Sequence, residues 1–226
     1  MTAMRIVAIR LSVTNCYLLG ERGAVLVDCG GELTGRRLLR RLREATPAGG
    51  GLELIVATHG HFDHAGGAAR LRAATGAKLA VHREDRAMVE GGIVSVPPVT
   101  GTLGRVTWTL LRPLFWVVRQ PATPVDVEIG DDGLSLEPWG VAGRVIHTPG
   151  HTPGSVSVLL ETGEAFVGDD AASGFPLARR PGLPWAAHDL AQARASLEQL
   201  LVLGARTFYP AHGRPFPAAA LRAALA

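Results

Sequence analysis

An α/β fold is the class this sequence predicts, and three observations predict it. Short apolar, partly β-branched runs such as 24–27, 52–57 and 78–81 read as buried strands. Stretches with leucine at helical spacing, 33–45 and 190–203, read as helices between them. The order of these elements forms two successive β-rich halves, each followed by a helix. At 226 residues and 47% hydrophobic content, residues 1–226 fit a single domain with ample material for a packed core.

Taken in order, 6–9 and 16–19 are strands joined by the turn-like 12–15, and 24–27 returns after Glu21-Arg22-Gly23. That strand ends at Asp28, a carboxylate placed either to brace a neighbouring loop from behind a metal ligand or to satisfy its own turn. Helix 33–45 is closed by Pro47 and Gly49-Gly50-Gly51, strand 52–57 follows, and 65–75 reads as a helix. Strand 78–81 reaches His82, a lone histidine given a structural role, and 83–90 is a further helix. Residues 91–124 change character, with glycine and proline surrounding the apolar stretch 106–118, and read as an insertion, a lid or an interface. Strands at 125–129, 134–139 and 144–146 surround the turn 130–133. Strands 156–160 and 164–167 follow, then helix 190–203 with Asp189 as N-cap and Gly204 past its end. Strand 207–209 and a closing helix at 216–226 complete the chain.

The chemistry concentrates in Thr58-His59-Gly60-His61-Phe62-Asp63-His64-Ala65-Gly66-Gly67, which packs three imidazoles and a carboxylate between a strand and a helix. Imidazole suits zinc and other first-row metals, and a carboxylate widens the site, so one loop can feed two ions. His59 and His61 can point to one side, Asp63 and His64 to a second centre. Further candidates stand at later turns: His151 in a proline-framed turn, Asp169 after Gly168 at a strand end, and His212 in Pro210-Ala211-His212-Gly213. His147 and His188 are expected not to bind metal.

Other classes are excluded by composition. The 22 arginines and one lysine against 20 acids leave a charge of +3, and the basic run 36–43 has the leucine spacing of an amphipathic helix, so no nucleic-acid partner is expected. Two cysteines, Cys16 and Cys29, are too few for a disulfide scaffold or a thiolate site. The amino terminus has no signal-type apolar core, no segment approaches bilayer length, and a cytoplasmic location is expected.

Together, His59-x-His61-x-Asp63-His64, His151 in its turn, Gly168-Asp169 and His212 resemble the ordered motifs of the metallo-β-lactamase superfamily, across Asp28 to Gly213. The resemblance implies a four-layer αβ/βα sandwich, two mixed sheets flanked by helices, with metals at one edge. By the same likeness His59, His61 and His151 bind one ion, Asp63, His64 and His212 the other, and Asp169 bridges them. The implied cofactors are two zinc ions, with iron or manganese as alternatives. The implied reaction is hydrolysis of a small ester, thioester or lactone by a bridging hydroxide between ions about 3.5–4 Å apart, with Asp63 orienting it.

Departures narrow the activity. The bridging Asp169 separates the chain from true β-lactamases, only 14 residues follow His212 where glyoxalase II enzymes add a helical substrate domain, and Ala172 stands where lactonases carry tyrosine. The alternatives are a mononuclear iron sulfur dioxygenase and, further off, an RNA-processing nuclease. Substrate choice is assigned to 106–118, where Trp108, Leu111, Phe115 and Trp116 line an apolar pocket if the segment is a lid. An apolar part in the substrate is then expected. Core packing or a homodimer contact is the competing role.

Overall fold

The computed structural model describes residues 4–95, 98–99, 109, 118–173, 181–184 and 186–226. The insertion reading of 91–124 and the apolar residues Trp108, Leu111, Phe115 and Trp116 therefore fall largely or wholly outside the described residues.

Two six-stranded sheets face each other. In the first, β1 (Ile6–Arg10), β2 (Asn15–Leu19) and β3 (Val25–Val27) form an antiparallel meander, and β4 (Leu54–Val56), β5 (Lys78–His82) and β6 (Val127–Ile129) extend it in parallel. The second sheet runs β12 (Phe216–Pro217), β11 (Thr207–Pro210), β10 (Glu164–Gly168), β9 (Val156–Leu160), β8 (Gly143–His147), β7 (Leu134–Ser135). Its pairs are antiparallel except β10 with β11.

Alternation along the strands builds the layers. Tyr17 and Leu19, Leu54 and Val56, Val156 and Val158, and Phe166 point between the sheets. Their neighbours Cys16 and Leu18, Ile55, and Leu79 and Val81 turn outward onto Leu38 and Leu42 of α1 (Gly35–Ala45) and Leu71 of α3 (Ala68–Thr75). On the far side Leu159, Ala165 and Val167 meet Leu197, Leu200 and Leu201 of α5 (Leu190–Val202) and Leu221 and Leu225 of α6 (Ala218–Leu225). The result is helix, sheet, sheet, helix: the four-layer αβ/βα sandwich. Central strands buried on both faces explain why their sequences run apolar without polar gaps.

Four local readings are corrected. The helix expected at 65–75 is two helices, α2 (Phe62–Ala65) and α3, broken at Gly66-Gly67. A Cβ on Gly67 would lie 2.2 Å from the Cys29 carbonyl oxygen, so the break is where the chain crosses the end of β3. Gly67→Ala is expected to destabilise the protein by about 1–3 kcal/mol through that overlap, read as a lowered thermal midpoint. An unchanged midpoint would mean the crossing relaxes freely. The strand expected over 134–139 stops at Ser135, and Pro138 continues a 3-10 turn at Glu137–Trp139. Residues 216–217 form β12 against Thr207 and Phe208 before α6 begins. A 3-10 turn, Glu32–Thr34, precedes α1.

The basic run of α1 is solvated: Arg40 and Arg41 reach Glu44 across its exposed face. Among the described residues, no helix is long and apolar enough to cross a membrane. At the N-cap of α5, Asp189 Oδ1 accepts from the Ala191 and Gln192 amides at 2.9 and 3.0 Å.

Candidate metal centre

Strand ends from both sheets converge on one edge. β4 runs into His59 and His61, α2 carries Asp63 and His64, the turn after β8 carries His151, and β10 and β11 deliver Asp169 and His212. Close approach makes this convergence feasible: a Cβ on Gly168, at φ +50°, would lie 2.4 Å from Thr58 Oγ1.

The structure brings all seven sequence-predicted donors together in two groups, linked by a third made of His59, His64 and Asp169. In the first, donor atoms of His59, His61 and His151 lie within 4.8 Å of one another, with His61 Nδ1 3.1 Å from His151 Nε2. In the second, Asp63 Oδ2 lies 3.6 Å from His64 Nε2 and 3.3 Å from His212 Nε2. Asp169 joins them. Its Oδ1 is 3.4 Å from His64 Nε2 and 3.3 Å from His212 Nε2, and its Oδ2 is 3.6 Å from His151 Nε2.

These separations fit a metal. Bonds of about 2.0–2.1 Å in tetrahedral arrangement hold neighbouring donors roughly 3.3 Å apart. Four buried atoms in the centre, Nε2 of His59, His61 and His64 and Oδ1 of Asp169, have no hydrogen-bond partner. Such orphans are rare in native interiors, and a divalent cation satisfies them together.

Four of the five histidine rings are oriented from behind. His64 Nδ1 donates to Asp28 Oδ2 at 2.9 Å, His151 Nδ1 to the Ala186 carbonyl at 2.8 Å, and His212 Nδ1 to the Val13 carbonyl at 2.8 Å. A proton fixed on Nδ1 leaves the Nε2 lone pair facing inward. Thr58 Oγ1 sits 3.2 Å from His59 Nδ1 and also bonds Asp28. Asp28 thus stands behind His64, and it is the one non-glycine residue at positive φ among the described residues, +60°.

The electrostatics divide the centre. Burial, with the neighbouring imidazoles, pushes His59 well below the ordinary histidine range and His61 down to about 3, and burial also lowers His151. Burial opposes a charge on His64 and His212 too, but Asp169 leads the carboxylates that outweigh it, holding His64 well above its usual value and His212 up to about 10. Metal uptake must therefore displace protons from the second group. Ion affinity should rise with pH across neutrality, and calorimetric titrations in buffers of different ionisation enthalpy should give different apparent enthalpies. Buffer-independent enthalpies would contradict this.

Two supports were not read from the sequence. Asp85, buried in α4 (Arg83–Glu90), accepts from the Gly60 amide at 2.7 Å, the Thr152 hydroxyl at 2.8 Å and the Gly154 amide at 3.1 Å, tying the His59-His61 loop to the His151 turn. In a helical first turn, an aspartate signals only capping. On β2, Tyr17 Oη donates to the Pro210 carbonyl at 2.6 Å and Asn15 Nδ2 to the Gly213 carbonyl at 2.9 Å, bracing the His212 turn. His188 lies outside the donor groups found among the described residues.

A two-sheet αβ/βα sandwich with clustered histidines and aspartates at one edge defines a class of metal-dependent hydrolases. Residues 9–212 match the family model described as the Metallo-beta-lactamase superfamily, and the chain belongs to that family. An uncharacterized protein of Mycobacterium leprae is 34% identical over 207 residues, 88% of this chain and 86% of its own length. The hydroxyacylglutathione hydrolase GloC of Haemophilus influenzae is 29% identical over 159 residues, 69% of this chain and 65% of its own. The crystal structure of TTHA1623 in a di-iron-bound form superposes with a TM-score of 0.63 at 27% identity, covering 94% of both chains.

Proposed function

We propose that this protein hydrolyses a small thioester, ester or lactone at a dinuclear centre, with thioesters first. His59, His61 and His151 hold one ion, Asp63, His64 and His212 the other. The observation that carries this reading is Asp169, whose two oxygens face different donor groups. Bound ions would polarise the substrate carbonyl and bring the pKa of a water towards ~7. Zinc suits the donor set, and the di-iron neighbour supports iron as the alternative.

The chain's own groups do the rest. Asp63, whose Oδ2 accepts from Thr14 Oγ1 at 3.3 Å, would orient the attacking water. Neither cysteine competes as nucleophile, because burial raises both thiols well above the ordinary range and both are buried.

A cavity of about 190 Å³ opens beside Asp63, walled by Leu11, Val13, Leu33, Phe62 and Val118, with Arg119 at its side. Apolar walls suit an acyl chain, and the guanidinium suits a carboxylate on the substrate. Residues 106–118 end in this wall at Val118, which supports giving Trp108, Leu111, Phe115 and Trp116 a share in substrate choice. The relationship to GloC favours acylglutathione thioesters within the class.

A panel of thioesters, esters, lactones and β-lactams on metal-quantified protein tests the reading. Thioester turnover above all others is expected. Turnover of β-lactams alone, or of none of the panel, would refute it.

A further inference from the structure

We infer that the free edge of the first sheet, with the arginines of α1 beside it, is a docking groove for an extended acidic peptide. β1 is the terminal strand of its sheet and, among the described residues, pairs with β2 alone. The Gly20 amide donates to the Arg5 carbonyl at 3.1 Å and the Leu11 amide to the Thr14 carbonyl at 3.0 Å, so in this antiparallel register the odd residues bond inward. Ile6, Ala8 and Arg10 therefore turn their N–H and C=O groups outward, and no hydrogen-bond partner meets them among the described residues. Such an edge is a template for a further strand.

A groove of about 450 Å³ runs along this edge. Residues 7–10 of β1 form one wall, and Arg37, Arg41 and Glu44 of α1 stand on the other. The charge on these walls is one-sided. Glu44 is shared by Arg40 at 3.8 Å and Arg41 at 3.4 Å, while Arg10 and Arg37 have no carboxylate partner among the described residues. Arg37 and Arg41 stand one helical turn apart, about 6 Å along the axis, close to the roughly 6.8 Å between residues i and i+2 of a strand. An added strand sends alternate side chains toward α1, so an acidic residue at every second position would meet the two guanidiniums in turn.

Charge and hydrogen bonding select the occupant. A second copy adding its own β1 would bring a second set of arginines into the groove, and charged edges of this kind oppose self-pairing. The residues outside the described ones carry no Asp or Glu, so none of those segments supplies the acidic side chains. A phosphate or lipid headgroup surface offers acceptors to the arginines and leaves the outward carbonyls unmatched. A peptide backbone supplies donors and acceptors in the strand's own spacing.

The test is fluorescence anisotropy with a labelled peptide alternating aspartate with valine, against one of the same composition with its aspartates contiguous, and against phosphatidylserine vesicles. The alternating peptide should bind most tightly, and the double variant Arg37→Ala/Arg41→Ala should weaken it about tenfold. Arg36→Ala/Arg43→Ala removes equal charge outside the groove and should change little. Ala8→Pro removes an outward N–H and no bond to β2, so it should weaken binding with the thermal midpoint nearly kept. In the unaltered protein, hydrogen exchange at the Ala8 and Arg10 amides should slow when the peptide binds, a readout that needs no variant. Equal weakening by the two arginine pairs, unchanged exchange at Ala8 and Arg10, no preference between the peptides, or tighter binding to the vesicles would each overturn the groove.

Discussion

Asp169→Asn should lower kcat/KM by on the order of 10³ while shifting the thermal midpoint of unfolding by only a few degrees. The carboxylate contributes one charge shared between two donor groups, with Oδ1 toward His64 and His212 and Oδ2 toward His151. Charge stabilisation of that kind is worth several kcal/mol in a metal centre, and each 1.36 kcal/mol is tenfold in rate. Asparagine keeps the shape, so the strand end and its Gly168 crossing stay in place. Steady-state kinetics and thermal unfolding on the same preparation check both halves. A fall in stability parallel to the fall in rate would make Asp169 a structural residue.

Asp85→Ala should be the most damaging change outside the donor set. It strands two backbone amides that now share one buried carboxylate and leaves the Thr152 hydroxyl to Ser155 alone, and each buried orphan costs about 1–3 kcal/mol. The expected loss is roughly 3 kcal/mol or more in unfolding free energy by denaturant titration. Asp85→Asn keeps an acceptor and should instead weaken metal binding by about 10–100-fold, as outer-shell changes do. That loss should concentrate in the group of His59, His61 and His151, whose two loops Asp85 joins. A stable Asp85→Ala protein with undiminished metal affinity would reduce the contact to incidental packing.

Local signals carried much of this fold into the sequence. Helix Arg83–Glu90 and strand Val156–Leu160 start and stop where their apolar spacing and flanking turns put them, since nothing distant competes with their propensity. Misses arose where distant chain decides. The break at Gly66-Gly67 follows from the Cys29 carbonyl, and β12 exists because Phe208 and Thr207 offer it a partner. The donor histidines were legible because they cluster in short, glycine- and proline-framed turns. Asp85 was not, because its three partners lie in loops that only the folded chain brings to α4. The stacking of the His82 ring on that of His147, 3.9 Å between centroids, was hidden for the same reason: only the meeting of two sheets creates it.

The central claim is a hydrolytic centre that needs two ions. Its most direct measurement is thioester turnover during stepwise zinc addition to metal-stripped protein. Turnover should climb to a plateau at two equivalents per chain, independent of dioxygen, and vanish with a chelator. Saturation at one equivalent, or activity confined to iron-loaded protein and requiring dioxygen, would contradict the account.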